Sequence, residues 1–184
     1  MTKQVSVFLA DGFEEIEGLT VVDLLRRVGI TVTTVSITGE YTIHGAHGID
    51  VQADKLFAEM TYNTQDMLVL PGGMPGTLNL GAHKGLEELL RRFYQEKKYI
   101  AAICAAPSIL GAYGFLKERK ATSYPGFDEA LVGAEYVQDA VAVSDFIITS
   151  RGMGTAIPFS LALIEVLLDK EKAEELGKSI IYYQ

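Results

Sequence analysis

The sequence predicts an α/β fold, a doubly wound and mainly parallel sheet with helices on both faces. Two observations carry this. Short apolar runs alternate with amphipathic helical stripes along the chain, the pattern of strand–helix–strand units. One of those runs, Met67 to Leu70, is unbroken, as in a strand covered on both faces. Val5 to Ala10 is the first apolar run, closed by the turn signal Asp11-Gly12. Leu19, Val22 and Leu25 mark a helical stripe that stops at Gly29, where a glycine cap is expected. Thr31 to Ile37 is rich in β-branched residues and reads as the second strand. Gly45 and Gly48 break residues 41–53 into short patches, a small hairpin or β excursion.

After Met67 to Leu70 comes Pro71-Gly72-Gly73, and then Leu86, Leu89, Leu90 and Phe93 at the spacing of a helix packed on a sheet. Tyr99 to Ile103 is the next strand, and Pro107 to Gly114 the next helix. Residues 121–150 hold several short strand signals, the clearest at Phe146 to Thr149. Ile157, Leu161, Ile164 and Leu168 form another helical stripe, and Lys170 to Tyr183 a terminal helix. No linker, repeat or low-complexity segment divides the chain, so residues 1–184 are read as one domain.

With 184 residues, 48% of them hydrophobic, a substantial core can be buried without staples. The net charge of −8 and the absence of any basic run argue against a phosphate-backbone surface, so no nucleic acid is expected. A single cysteine excludes an internal disulfide or a cysteine metal cluster. With no signal-peptide pattern and no membrane-length apolar stretch, a cytoplasmic location without membrane contact is expected.

In open α/β sheets ligands bind beyond the carboxyl ends of the strands. Three loops leave such ends with polar or glycine-rich sequence: Asp11 to Glu17, Pro71 to Gly76 and Cys104 to Ser108. Cys104 follows the run ending at Ile103, Ala102 and Ala106 flank it, and Pro107 suits the first turn of a helix. This resembles a nucleophile elbow, a strained strand-to-helix turn that exposes its central side chain. A helix N-terminus there would lower the pKa of the thiol. Gly72 and Gly73 end another strand, and their amides, with that of Ala105, are candidates to stabilise an oxyanion. Glu14, Glu15 and Glu17 open the first helix; acids there commonly offset the helix dipole, whereas a buried one beside the thiol would be raised in pKa and donate to sulfur. Spacing does not choose among the three.

Four segments, Ala101 to Pro107, Leu70 to Met74, Glu14 to Glu17 and Thr149 to Thr155, resemble the ThiJ/PfpI superfamily, in its branch of protein deglycases and bacterial ThiJ-type relatives. The resemblance covers essentially the whole chain. It implies a flavodoxin-like sheet of the class I glutamine amidotransferase-like kind, and a homodimer. It also implies a nucleophile at Cys104, a protonated partner at Glu17 and oxyanion amides at Gly73 and Ala105. Gly72, Tyr124, Arg151 and Thr155 would line the site, with no cofactor and no metal.

Two departures shape the expected chemistry. Where the deglycase branch has a histidine before a proline, this chain has Tyr124-Pro125; where the protease-like branch has a histidine after the cysteine, it has Ala105. His44, His47 and His83 fall in loop or hairpin segments. With no third ligand evident, His44 and His47 are read as surface or dimer contacts. A cysteine without a histidine base suits attack on an aldehyde better than cleavage of an amide. The resemblance therefore implies a cofactor-free enzyme of glyoxalase or deglycase type, acting on methylglyoxal, glyoxal or glycated protein. The alternatives are an oxidative-stress sensor or chaperone working through oxidation of Cys104, and, behind it, a protease- or amidase-type hydrolase.

Overall fold

Alternate side chains of strand β1 (Gln4–Leu9) enter two separate cores. Val5, Val7 and Leu9 join one, Phe8 joins the other, and all four are fully buried. This is the two-sided burial of a central parallel strand. The computed structural model describes residues 2–182.

Helix α1 (Glu15–Arg27) follows β1, with Gly29 in the left-handed region at φ +80° just beyond its end. It begins a turn earlier than the Leu19 stripe suggests, because Glu15 and Glu17 are themselves buried. Strand β2 (Thr31–Ser36) leads into the small antiparallel hairpin β3 (Thr42–His44) and β4 (Asp50–Gln52), then into the two-residue strand β5 (Lys55–Leu56). Next come β6 (Met67–Leu70), α2 (Gly76–Ala82), α3 (Lys84–Gln95), β7 (Tyr99–Ile103) and α4 (Pro107–Ala112). Short strands β8 (Lys120–Ala121) and β9 (Glu135–Tyr136) pair with each other, apart from the main sheet. Strands β10 (Val141–Ser144) and β11 (Ile147–Ser150), then helices α5 (Ala156–Leu167) and α6 (Lys170–Ser179), complete the chain. The last helix was expected to run to Tyr183, which lies outside the described residues.

Among the described residues the main sheet has seven strands in the order β10-β11-β7-β6-β1-β2-β5. All neighbours pair in parallel except β10 with β11. Residues of α1, α5 and α6 pack on one face, and those of α2, α3 and α4 on the other. The fold is thus the flavodoxin-like α/β arrangement expected from the sequence. From β1 the chain goes first to β2 on one side and later to β6 on the other, so the order reverses between β1 and β6. A crevice opens at such a reversal, at the carboxyl ends of the strands.

Candidate active site

Cys104 follows the last residue of β7 and stands at φ +66°. For a residue with a side chain this left-handed conformation costs on the order of 1–3 kcal/mol and persists only when its surroundings enforce it. They do so here. The Cys104 amide donates to the Ser150 carbonyl at 3.0 Å, extending the β7–β11 ladder by one residue, and its carbonyl accepts from the Tyr124 amide at 2.8 Å. Ala102 and Ala106 on either side are fully buried, which lets the chain turn sharply into α4. The half-buried thiol faces the amides of Gly73 and Ala105, both of which donate toward sulfur.

The Glu17 carboxyl, only 1% exposed, reaches the same place from the first turn of α1. One of its oxygens, Oε2, accepts from the Gly72 amide at 2.9 Å, and the carboxyl shares a hydrogen bond with the Cys104 thiol. Glycine at 72 is a matter of space: an added Cβ would lie 2.6 Å from the Cys104 Cβ and 2.7 Å from Glu17 Oε2. Gly73, at φ +90°, turns its amide toward the sulfur.

Burial raises the Glu17 carboxyl to about 7, with a further push from the charge of Glu14, against the hydrogen bonds from Cys104 and Gly72 that favour its ionised form. Burial also raises the Cys104 thiol, to about 12, and the Glu17 charge and hydrogen bond add to this; the Gly73 and Ala105 amides pull the other way and are outweighed. This corrects the expectation of a thiol made acidic by a helix N-terminus: α4 is six residues long and begins three residues beyond Cys104. As a pair, the two groups release one proton near 7 and hold the second to about 12. Between those values the thiol keeps its proton and is hydrogen-bonded to the ionised carboxylate.

The remaining expected residues form a rim. Tyr124 is 51% exposed and its ring lies against Gly152. Tyr124, Pro125 and the segment Arg151 to Thr155 enclose an open groove of about 400 Å³. Thr155 works from behind. Its hydroxyl oxygen accepts from the amides of Arg151 at 3.2 Å and Gly152 at 3.1 Å, and bonds the Ser150 hydroxyl at 2.7 Å. It therefore holds the strand end whose carbonyl anchors Cys104.

The histidines divide. His83 caps α3, its Nδ1 accepting from the Leu86 amide at 3.0 Å, and His44 pairs with Asp50 at 2.7 Å. His47 does meet further ligand-type groups, which no local sequence pattern announces. Its Nδ1 lies 2.8 Å from Glu15 and 3.3 Å from Glu14, and its amide donates to Glu15 at 2.7 Å. Those three side chains are close enough to hold a cation, but as they stand they form an ion pair that neutralises a buried carboxylate. Burial alone would raise Glu15; the His47 hydrogen bonds keep it below its usual value. Of the three glutamates, then, Glu15 holds the hairpin, Glu14 lies beside His47, and Glu17 reaches the thiol. The pairing of Glu15 with His47 spans 32 residues and has no local sequence signal.

Residues 3–166 match the DJ-1/PfpI family. The chain belongs to that family. It is 38% identical to protein dj-1beta of Drosophila melanogaster, over 98% of each chain. It is 34% identical to the glutathione-independent glyoxalase DJR-1.2 of Caenorhabditis elegans, over 91% of this chain and 89% of that one. Against protein DJ-1 homolog A of Arabidopsis thaliana the identity is 40% over 98% of this chain, which spans about half (47%) of that longer protein. Among solved structures, oxidized Toxoplasma gondii DJ-1 superposes with a TM-score of 0.95 at 36% identity, each chain covered in full. Drosophila DJ-1beta does so with a TM-score of 0.93 at 37% identity, over 98% of each.

Proposed function

We propose that the protein is a cofactor-free glyoxalase with deglycase capacity, converting small 2-oxoaldehydes, free or as protein adducts, to 2-hydroxy acids. The observation that carries this reading is the hydrogen-bonded pair of the Cys104 thiol and the buried Glu17 carboxyl, in a crevice with two amides aimed at the sulfur. A general base works best with a pKa near the operating pH, and a carboxyl raised to about 7 meets that condition. The name of the Caenorhabditis elegans relative, a glutathione-independent glyoxalase, supports the same class of activity.

The steps follow from this geometry. As the sulfur attacks the aldehyde carbon, Glu17 takes the thiol proton, so little free thiolate need accumulate despite the high thiol pKa. The carbonyl electron pair moves to oxygen, which recovers the proton from Glu17 to give a hemithioacetal. The Glu17 carboxylate then removes the hydrogen of the former aldehyde carbon as a proton and passes it to the neighbouring carbonyl oxygen, giving an enediol. It next takes the hydroxyl proton from the first carbon's oxygen and delivers it to the second carbon. This leaves a thioester of the 2-hydroxy acid on sulfur. Water cleaves it, releasing lactate from methylglyoxal or glycolate from glyoxal and restoring the thiol. The Gly73 and Ala105 amides hold the sulfur for attack and help balance negative charge at the reacting centre.

The test is direct. Purified protein is mixed with methylglyoxal and lactate is quantified by chromatography. Wild type is expected to form lactate at least about 10³-fold faster than Cys104→Ser, as for loss of a covalent nucleophile. Equal lactate from both proteins would end this reading.

The redox alternative is less well supported by this site. Oxidation by peroxide follows thiolate character and exposure, whereas Cys104 is half-buried and its thiol raised. Amide hydrolysis is less well supported, since no histidine adjoins Cys104 in sequence and Nδ1 of His44, His47 and His83 is engaged with Asp50, with Glu14 and Glu15, and with the α3 cap.

A further inference from the structure

Gly152 lies between the reacting pair and the outer groove. A Cβ added there would sit 3.3 Å from Cδ2 of the Tyr124 ring on one side and 3.8 Å from Glu17 Oε1 on the other. The backbone is extended at this residue, at φ 165°, so the absence of a side chain is not needed for conformation. It leaves the space between the Tyr124 ring and the carboxyl unfilled, and we read that space as a passage. Beyond the passage the groove is mostly apolar, bounded by Pro125, by Tyr124 at 51% exposure and by Met153 at 55%. The Tyr124 amide is bonded to the Cys104 carbonyl, so the backbone that carries the ring is tied to that of the nucleophile.

We propose that this groove receives the carbon substituent of the substrate, and that the protein selects 2-oxoaldehydes bearing an aryl or branched apolar group over glyoxal. This rests on the reading of Cys104 and Glu17 as an aldehyde-converting pair. An aldehyde carbon at sulfur, with its neighbouring carbon beside Glu17, directs the third substituent past Gly152. Glyoxal carries only hydrogen there. An aryl group would lie along the Tyr124 ring and displace water from an apolar surface. Tyr124 stands where the deglycase branch has a histidine; in this chain the ring is assigned to substrate selection and not to proton transfer.

The experiment compares kcat/KM for phenylglyoxal and glyoxal, from initial rates, in wild type, Tyr124→Ala, Tyr124→Phe and Gly152→Val. The phenylglyoxal-to-glyoxal ratio is expected to fall about 10-fold or more in Tyr124→Ala, the scale of a lost apolar pocket contact. It is expected to stay near wild type in Tyr124→Phe, which keeps the ring, and to fall in Gly152→Val, which narrows the passage. A second readout needs no turnover: mass spectrometry follows alkylation of Cys104 by iodoacetamide and by its N-phenyl analogue. The phenyl reagent's relative advantage should fall in Tyr124→Ala and Gly152→Val and persist in Tyr124→Phe. Absence of lactate from wild type defeats the proposed activity, while the alkylation ratios still decide whether the groove takes an aryl group. Ratios unchanged by Tyr124→Ala and Gly152→Val in both assays would overturn the inference. So would a Tyr124→Phe ratio as low as that of Tyr124→Ala, which would assign the effect to the phenol.

Discussion

The Cys104 thiol is hydrogen-bonded to a carboxyl that is itself costly to bury. The Glu17 pKa in the fold, about 7, lies above the ordinary 4.5. Its contribution to stability is therefore complete below pH 4.5 and is lost as pH rises through 7. A shift of that size corresponds to up to about 3 kcal/mol. Glu17→Gln, which cannot ionise, is accordingly expected to gain stability relative to wild type as pH goes from 5 to 8, read as the difference in Tm by calorimetry; a difference independent of pH would show that Glu17 is not buried as described. At Gly72 a single methyl group would sit among Cys104 and Glu17 at 2.6–2.7 Å. Gly72→Ala is expected to lower lactate formation about 100-fold or more, because misplacement by an ångström costs that much when geometry carries catalysis, while the protein still folds by circular dichroism.

At the scale of elements, the elbow and its neighbours differ in how far the sequence announces them. Cys104 could be placed at a strand end because Tyr99 to Ile103 is an unbroken apolar run and Pro107 starts a helix. Choosing Glu17 over Glu14 and Glu15 needed the family resemblance. Which acid turns inward is fixed by the packing of α1 on the sheet and by the Gly72 amide 55 residues away. Strand β5 has no local signal because two residues show no periodicity, and α2 has little because Gly76 and Gly81 lie inside it against helix propensity. The clamp of the β3–β4 hairpin on α1 was hidden for a similar reason, since only the fold brings His47 to Glu15. That clamp makes its own prediction. The hydrogen bond to Glu15 raises the pKa of His47, so its stabilising charge is present below pH 6.5 and fades as pH rises through the raised value. His47→Ala is expected to lower Tm more at pH 5.5–6 than at pH 9; equal losses at both would mean that the pair contributes no charge interaction. In the turn after β11, Thr155→Val removes a hydroxyl that serves two amides and Ser150. It should cost about 1–3 kcal/mol by denaturant titration, and it should slow alkylation of Cys104, whose amide hangs from the same strand end.

For the whole molecule, the reversal of strand order between β1 and β6 explains why three separated segments meet. The residues Glu17, Gly72-Gly73 and Cys104-Ala105 follow β1, β6 and β7, which are neighbours in the sheet. That the three loops leave strand ends was legible from strand–helix alternation; that those strands are neighbours was not, because pairing order has no local signal. Nor were the site's electrostatics, because the high thiol pKa comes from burial and from a carboxylate that is distant in sequence. We also propose that the protein works as a homodimer, as its family resemblance implied. The packed helices α1 and α5 leave Ile16 at 48% and Ile157 at 36% exposure, apolar surface that a second copy would cover. Sedimentation equilibrium is expected to give twice the mass of one chain, and a monomer at micromolar concentration would contradict this. In the mechanism we propose, Glu17 takes and returns the proton of Cys104 during aldehyde conversion. The measurement closest to it is the pH profile of kcat/KM for lactate formation from methylglyoxal, in wild type and Glu17→Gln. Activity is expected to rise with pH through about 7 as Glu17 becomes a base, and Glu17→Gln to lose both that limb and most of the rate. A wild-type profile without a transition near 7, or the same profile in both proteins, would contradict the account.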